Sequence, residues 1–323
     1  MNNKDVGIGF GTWAWGNKLV WGYKPETDDI LLKKTFFDAI DGGLDLVDTA
    51  DSYGTGSLFG QSEKLIGDFL EELPKRKIKK ITIATKLAPF PWRIGRNGLN
   101  KAFLESNKRL KGNITRVQLH WSTCRYAPWQ EEQLLSGLGD LYEKGLIKEI
   151  GLSNTGPKRL DFLYEQLQKR GIKIKSIQMQ FSLLTKPSLE NEKVHNICKK
   201  HNIQYLAYSP LALGLLTIPP DKFPKPSTFL RQKLFQRMQP KTKEFRKLLE
   251  NIGKKYSASQ AQVALNWVRS HGAKPIVGIR NPQLANDEIS ALTWSLTNSE
   301  KERLNSYRNK CLIYMPENPF TSP

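Results

Sequence analysis

Cysteine and histidine are both scarce in this chain of 323 residues, which contains only three cysteines and four histidines. Cys124, Cys198 and Cys311 have no zinc-type spacing, and their odd number is atypical of a disulfide scaffold. No apolar run is long enough to span a membrane, and the N-terminus shows no apolar signal region. We therefore expect a cytoplasmic protein with no membrane segment and no metal site.

Acidic residues are also few beside the basic ones. The chain has 31 Asp and Glu against 50 Lys and Arg, a formal net charge of +19. Such a charge raises the question of nucleic-acid binding. However, the lysines lie in short solvated runs, and the sequence has no zinc spacing, no ribonucleoprotein aromatic signature and no basic zipper. We expect no nucleic-acid partner, and the sequence leaves the oligomeric state open.

Short apolar runs alternate with amphipathic segments along the whole chain. Eight runs are predicted to be strands: 6–13, 44–48, 81–86, 115–120, 148–154, 174–180, 203–208 and 274–278. This alternation is typical of a parallel (β/α)₈ barrel formed by a single domain over residues 1–323. An open doubly wound sheet is the alternative, but no Gly-x-Gly-x-x-Gly opens a helix after a strand.

Polar residues end most of these predicted strands, at intervals of roughly 27 to 38 residues that suit one β-loop-α-loop unit each. The residues are Thr12, Asp48, Lys86, His120, Ser153, Gln180 and Tyr208. A barrel gathers the C-terminal ends of its strands on one face, where such folds place their chemistry. Residues distant in the sequence are therefore expected to converge there.

Four of the side chains near these strand ends form a chemically coherent set. The phenol of Tyr53 has an ordinary pKa near 10. We expect the ammonium of Lys86 to lower that pKa, and the carboxylate of Asp48 to keep Lys86 charged and in place. His120 is then able to donate a hydrogen bond to a substrate oxygen. A carbonyl that receives hydride needs this arrangement, whereas no Gly-x-Ser-x-Gly elbow is present for acyl transfer.

Several short motifs stand in the order typical of one known family. They are Gly11-Thr12-Trp13, Asp48-Thr49-Ala50 with Tyr53-Gly54, Lys86, His120-Trp121, Gly151-Leu152-Ser153-Asn154 and Tyr208-Ser209-Pro210-Leu211. From about Val6 to Tyr307 the chain resembles the aldo-keto reductases. Within that family it is most similar to the pyridoxal reductases of plant chloroplasts and their cyanobacterial relatives.

The resemblance implies that Tyr53 is the proton donor and that His120 orients the carbonyl. It also implies a nicotinamide cofactor, NADPH with NADH left open, and a long insertion at about 209–256 that covers it, followed by a C-terminal tail at about 309–323. The implied cofactor contacts are Thr12, Trp13, Asp48, Ser153, Asn154, Gln180, Tyr208, Ser209, Pro210, Leu211, Gly214, Gly278, Arg280, Leu284, Asp287 and Glu288. Arg280 is the candidate for the 2′-phosphate.

The predicted activity is NADPH-dependent reduction of an aldehyde or ketone to the alcohol, with pyridoxal as a candidate substrate. Aromatic loop residues are expected to form a slot for a flat carbonyl compound, together with His120. The expected substrate contacts are Trp15, Trp21, Trp92, His120 and Trp121. The alternative is a regulatory module that keeps the barrel and the nucleotide but acts through a protein partner. The complete set of four catalytic side chains favours the enzyme.

Overall fold

A computed structural model describes residues 6–323, apart from the side chain of Leu58. Eight parallel strands close into one barrel, each hydrogen-bonded to its neighbours in chain order. They are β1 (Gly9–Gly11), β2 (Leu46–Asp48), β3 (Thr82–Leu87), β4 (Arg116–Leu119), β5 (Glu149–Ser153), β6 (Ile174–Gln180), β7 (Gln204–Tyr208) and β8 (Lys274–Gly278). The prediction of a (β/α)₈ barrel is confirmed, and every predicted strand overlaps an observed one.

Helices follow the strands. They are α1 (Lys18–Trp21), α2 (Pro25–Asp41), α3 (Gln61–Glu72), α4 (Lys75–Ile78), α5 (Gly95–Arg109), α6 (Pro128–Glu143), α7 (Pro157–Gln168), α8 (Leu189–His201), α9 (Phe229–Met238), α10 (Lys243–Lys255), α11 (Gln260–Ser270), α12 (Pro282–Ser290) and α13 (Asn298–Asn309). Short 3₁₀ turns cover Gly56–Leu58, Ala212–Thr217, Pro240–Thr242 and Ala291–Thr293. No helix among the described residues is long and apolar enough to cross a membrane.

Local sequence explains where helix α2 begins. The sequence favours Thr27 as the cap of α2, but the helix begins earlier, at Pro25. Proline suits the first helical position because its missing N–H has no partner there in any case. Glu26 and Asp28 then lie in the first turn, where carboxylates interact favourably with the helix dipole.

The chain divides into two compact units. The first contains Met1–Asp45, Gln180–Pro187 and Ala207–Pro316. Its strands β1 and β8 pair in parallel, with Gly11 opposite Gly278. Residues 218–243 are a proline-rich, basic part of the insertion predicted at about 209–256. The sequence suggests a long loop there, but the segment contains helix α9.

One buried arginine holds that proline-rich insertion. The guanidinium of Arg246, on α10, donates to the carbonyl oxygens of Ile218 at 3.1 Å and Pro219 at 2.7 Å. It also donates to the carbonyl oxygen of Gln239 at 3.0 Å. Because backbone carbonyls in a buried turn need donors, this single side chain satisfies several of them at once.

The second unit contains Leu46–Met179, Ser188–Leu206 and Glu317–Pro323. Strands β2 to β5 are almost entirely buried, which explains why they read as apolar runs rather than alternating ones. The strand register sets Asp48 opposite Ala84 and Lys86 opposite Gln118. The domain bounds predicted for the insertion and the tail stay predictions.

Candidate active site

Lys86 and Asp48 form a buried ion pair at the C-terminal ends of β3 and β2. The Lys86 Nζ lies 2.5 Å from the Asp48 Oδ2, and both side chains are almost fully enclosed. Lys86 also donates to the carbonyl oxygen of Thr49 at 3.1 Å. Burial opposes the charged form of Lys86, but the neighbouring Asp48 outweighs it, so the pKa of Lys86 lies above its ordinary value. Lys86 is therefore a fixed positive charge.

Tyr53 lies within reach of that charge. The Lys86 Nζ is 3.2 Å from the Tyr53 Oη. Burial of the phenol raises the pKa of Tyr53, and the opposing effect of Lys86 does not cancel it. The expected lowering effect of Lys86 on the Tyr53 pKa is thus present, but burial outweighs it. Tyr53 is a neutral phenol at pH 7, the protonation state that a proton donor requires.

His120 completes the set and is also neutral. Its ring lies 5.8 Å from that of Tyr53, measured between centroids. Burial, with the nearby charges of Lys86 and Arg93, holds the pKa of His120 well below its ordinary value. The hydroxyl of Ser52 lies 3.3 Å from the His120 Nδ1. A neutral imidazole has one N–H donor, and a hydroxyl that donates to Nδ1 places this donor on Nε2.

The second oxygen of Asp48 accepts two hydrogen bonds that sequence reasoning missed. The amides of Gln118 and Gln178 donate to the Asp48 Oδ1 at 3.0 Å and 2.8 Å. Gln178, rather than the predicted Gln180, thus adjoins the Asp48 carboxylate. The amide of Gln180 donates instead to the carbonyl oxygen of Pro316 at 3.2 Å. Gln178 is therefore the better candidate for the role that the resemblance assigns to Gln180.

A second buried ion pair braces the loops around Tyr53. Arg93 donates to the carboxylate of Asp51, and to the carbonyl oxygen of Ala88 at 2.6 Å. Burial raises the pKa of Asp51 to about 6, despite the opposing effect of Arg93. The loop after β2 carries Tyr53, and the loop after β3 follows Lys86. The pair of Asp51 and Arg93 joins these two loops.

Aromatic side chains extend outward from His120. We call Phe59, Phe90, Trp92, Trp121 and Phe320 the aromatic row. Phe90 stacks on Trp92 with ring centroids 4.6 Å apart, and Trp121 stacks on Phe320 at 4.8 Å. Trp121 lies 5.0 Å from the His120 ring, whereas Trp92 is 71% exposed. Two of the predicted substrate residues, Trp92 and Trp121, thus belong to a continuous apolar surface beside the catalytic set.

Ser153 and Asn154 lie beside Gln178. The Ser153 hydroxyl donates to the carbonyl oxygen of Gln178 at 3.2 Å, and Asn154 donates from its side-chain amide to the carbonyl oxygen of His120 at 3.1 Å. Asn154 has a left-handed backbone, with φ of 54°. The amide of Asn318 donates to the Asn154 Oδ1 at 3.1 Å. The C-terminal tail therefore helps to fix Asn154.

In the first unit, the predicted cofactor and substrate contacts near β1 differ in their exposure to solvent. Trp15 is fully buried, and its indole N–H donates to the carbonyl oxygen of Ile279 at 2.9 Å. This placement argues for a packing role rather than a substrate contact. Trp13 and Trp21 meet edge to face with centroids 5.9 Å apart, and Trp13 is 38% exposed. Thr12, between these aromatics and β1, is buried.

Two arginines lie against Trp21. The guanidinium carbons of Arg231 and Arg280 lie 4.3 Å and 5.2 Å from the centroid of the Trp21 ring. Arg231 comes from helix α9 and donates to the carbonyl oxygen of Leu213 at 3.1 Å. Burial lowers the pKa of Arg231 to about 10, so both guanidiniums are charged at pH 7. Sequence reasoning missed Arg231. It adds positive charge beside Arg280, the residue predicted to hold the 2′-phosphate.

The loop after β7 has an unusual backbone. Ser209, Ala212, Leu213 and Gly214 all have positive φ angles, between 51° and 91°. Left-handed conformations of non-glycine residues cost free energy and concentrate at functional sites. Tyr208, which precedes them, is half-buried, as is Leu211, whereas Pro210 is buried.

The predicted cofactor contacts in segment 278–288 differ in exposure. Gly278 and Leu284 are exposed. Asp287 accepts hydrogen bonds from Ser259 and Gln262, each at 2.7 Å. Glu288 is buried, and burial raises its pKa well above the ordinary value. Asp287 therefore serves α11–α12 packing, and burial favours the uncharged form of Glu288.

Comparison with known proteins identifies the family. A model described as the aldo/keto reductase family matches residues 7–309. The chain belongs to this family. The aldo/keto reductase described here is 42% identical over 302 residues to a chloroplastic pyridoxal reductase of Arabidopsis thaliana, an alignment covering 92% of this chain and 81% of the relative. It is 28% identical to an aldo-keto reductase of Bacillus subtilis, over 93% of this chain and 88% of the relative.

Solved structures with a similar fold also include reductases and dehydrogenases. A glycerol dehydrogenase of Gluconobacter oxydans aligns with a TM-score of 0.78 and 26% identity, covering 100% of both chains. An aldo-keto reductase of Klebsiella pneumoniae, solved with NADPH, has a TM-score of 0.70 at 21% identity, over 98% of this chain and 94% of that one, and shares the fold. The predicted family and enzyme class are confirmed: this aldo/keto reductase is an NAD(P)H-dependent oxidoreductase of carbonyl or alcohol groups.

Proposed function

We propose that this aldo/keto reductase reduces aldehydes with NADPH and that Tyr53 donates the proton. One observation carries the proposal: a single ammonium, the Lys86 Nζ, lies 2.5 Å from the Asp48 carboxylate and 3.2 Å from the Tyr53 hydroxyl. When bound, the cofactor supplies a hydride to the carbonyl carbon. Negative charge then develops on the carbonyl oxygen, and the chain's own groups must neutralise it.

The raised pKa of Tyr53 is compatible with this role. An alkoxide is a far stronger base than a phenolate, so even a weakened phenol transfers its proton downhill. Lys86 stabilises the phenolate left behind, because the charge of Tyr53 then lies beside an ammonium that Asp48 holds in place. His120 is neutral, and in the tautomer whose Nδ1 accepts from Ser52 it offers its Nε2–H to the same oxygen. Two donors thus converge on the reacting oxygen.

The cofactor contacts are proposed for each unit separately. In the second unit, Ser153, Asn154 and Gln178 offer amide and hydroxyl groups suited to a carboxamide. In the first unit, the strained loop Ser209–Gly214 offers backbone groups suited to phosphates. Arg280 is the proposed partner of the 2′-phosphate, and Arg231 adds charge beside it. Burial favours the uncharged form of Glu288, so its carboxyl repels that phosphate less than an ionised one would, which is compatible with NADPH as the cofactor.

We propose a flat aromatic aldehyde as the substrate, with pyridoxal as the first compound to test. The aromatic row supports this choice because stacked rings such as Phe90 and Trp92 favour a planar partner. The relative named pyridoxal reductase supports it independently. Trp121 adjoins His120, so a ring that packs on Trp121 has its aldehyde close to the proton donors.

The experiment is NADPH oxidation, followed by absorbance, with pyridoxal and with benzaldehyde. We expect Tyr53→Phe to lose roughly 10²- to 10⁴-fold in kcat, the usual contribution of a general acid. Tyr256→Phe is the matched control, because the Tyr256 hydroxyl donates to Glu300 rather than accepting from Lys86. Unchanged turnover in Tyr53→Phe would remove the assigned acid. The expectations of a cytoplasmic protein without a nucleic-acid partner stay predictions.

A further inference from the structure

The catalytic carboxylate is held on both of its oxygens. The Asp48 Oδ2 binds Lys86, while the Oδ1 accepts from the amides of Gln118 at 3.0 Å and Gln178 at 2.8 Å. Both glutamines are buried, so water does not compete for these bonds. Two N–H donors on one oxygen stabilise the charged form of a carboxylate and remove its freedom to rotate.

Strand pairing places Gln118 in a row with Lys86. Lys86 on β3 lies opposite Gln118 on β4, Gln118 lies opposite Gly151 on β5, and Gly151 lies opposite Ser176 on β6. A Cβ atom on Gly151 would come within 2.9 Å of the Gln118 Cγ and 2.6 Å of the Ser176 Oγ. Glycine at 151 therefore leaves the room that the Gln118 side chain occupies.

The two glutamines differ in what else they touch. Gln178 adjoins Ser153 and Asn154 through its own carbonyl oxygen, in the group proposed for the carboxamide. The side chain of Gln118 bonds only Asp48 among the described residues, and its Oε1 has no hydrogen-bond partner there. A buried amide with an unpaired oxygen costs free energy that an apolar residue of the same shape avoids. Packing alone therefore does not explain a glutamine at this position.

We propose that Gln118 is a positioning residue, which acts on the reaction through Asp48. The inference rests on the proposed function and adds a residue to its machinery. Gln118 commits the Oδ1 of Asp48, so the Oδ2 faces Lys86, and Lys86 is thereby kept within 3.2 Å of the Tyr53 hydroxyl. Its removal takes away one of the amide donors to the Asp48 Oδ1 and loosens the carboxylate, which Gln178 and Lys86 still hold. Lys86 then stabilises the Tyr53 phenolate less well.

The test compares Gln118→Met with the full-length wild-type protein. Methionine keeps the length and removes both the donor and the unpaired oxygen, so folding is expected to survive; Gln118→Leu serves as a second variant. We expect kcat for pyridoxal or benzaldehyde to fall roughly ten- to a hundredfold, the factor that a hydrogen bond to a charged group supplies. The Kd for NADPH, measured by fluorescence titration, is expected to change much less than kcat, because Asp48 is the one proposed cofactor contact that Gln118 bonds among the described residues.

The decisive readout is a pH profile. Oxidation of benzyl alcohol with NADP⁺ needs the Tyr53 phenolate, so its rate rises as Tyr53 loses its proton. A weaker hold on Lys86 raises the pKa of Tyr53 and moves that rise to higher pH in Gln118→Met. Ser176→Ala is the matched control: it removes another buried polar group from the same row that has no contact with Asp48. Its kcat and pH profile are expected to match wild type.

The outcomes separate the two proposals. If wild-type protein reduces neither aldehyde, the proposed function fails. If wild type is active and both folded Gln118 variants keep its kcat and pH profile, the positioning role is overturned while the proposed function stands. A fall in kcat without any displacement of the pH profile, or an equal effect of Ser176→Ala, shows a merely structural role and also overturns the inference.

Discussion

Lys86→Met removes the charge on which the whole relay depends. The Lys86 Nζ contacts the Asp48 carboxylate at 2.5 Å, the Thr49 carbonyl oxygen at 3.1 Å and the Tyr53 hydroxyl at 3.2 Å. Only 1% of the Lys86 side chain is exposed, so water cannot replace the lost ammonium. Methionine retains most of the apolar shape of the stem, and the perturbation is therefore mainly electrostatic.

The expected effect on stability is large. Removing one partner of a buried ion pair costs about 3–5 kcal/mol, because the other charge is left uncompensated. We expect the free energy of unfolding, measured in urea at pH 7, to fall by about that amount. In the double variant Asp48→Asn with Lys86→Met both charges are gone, so most of the loss is expected to be recovered. Lys175→Met is the matched control on β6: its side chain is 55% exposed, and its removal is expected to change stability by less than about 0.5 kcal/mol.

The expected effect on the reaction has a different origin. Lys86 is the group that lowers the pKa of Tyr53 against burial. Without it that pKa rises further, and Tyr53 becomes a weaker acid. We expect kcat for aldehyde reduction to fall by roughly 10²- to 10⁴-fold in Lys86→Met, measured by NADPH absorbance. The double variant is expected to recover stability but not activity.

Three results would refute this reasoning. Wild-type stability in Lys86→Met would show that the pair does not behave as a buried ion pair. Wild-type turnover in the same variant would show that the Tyr53 proton does not depend on Lys86. If the double variant is as unstable as the single one, the loss arises from packing rather than from the unpaired charge of Asp48.

Three further predictions follow from the charges. Arg280→Ala is expected to weaken NADPH binding roughly ten- to a hundredfold and NADH binding much less, in fluorescence titrations; equal losses would remove the 2′-phosphate role. Glu288→Gln is expected to leave the Kd for NADPH unchanged at pH 7, since the pKa of Glu288 is raised well above its ordinary value; tighter binding would mean that Glu288 is ionised. Burial raises the pKa of Asp51 from 3.8 to about 6, so its contribution to stability is present below about pH 4 and is lost as the pH rises to about 6. The stability of wild type relative to Asp51→Asn, from urea titrations, is therefore expected to fall across that window by at most about 3 kcal/mol; a constant difference would contradict it.

Much of this architecture is predictable from the sequence because the barrel strands are buried on both faces. Buried strands read as apolar runs, and the polar residues Asp48, Lys86 and His120 stand at or just beyond their ends. The observed contact between Lys86 and Tyr53 confirms that these ends converge. Strand ends are conspicuous in a sequence since polarity changes abruptly there.

The contacts that sequence reasoning missed lie where the polarity of the sequence does not change abruptly. Gln178 and Gln180 have the same parity along β6, so the two-residue period cannot distinguish them, and only their depth in the barrel does. Phe320 meets Trp121 across two hundred residues of chain, a contact without any local signal. Whether the pKa of Tyr53 rises or falls depends on the balance of burial against one charge, which requires coordinates.

The position of Trp21 between two guanidiniums gives this enzyme an optical reporter. Indole emission responds to nearby charge, and Arg231 and Arg280 lie within 4.3 Å and 5.2 Å of its ring. A ligand that draws either arginine away from Trp21 changes that emission, and the variant Trp21→Phe separates this change from the emission of the other seven tryptophans. Binding is thus observable without a label, a substrate or a chemical step.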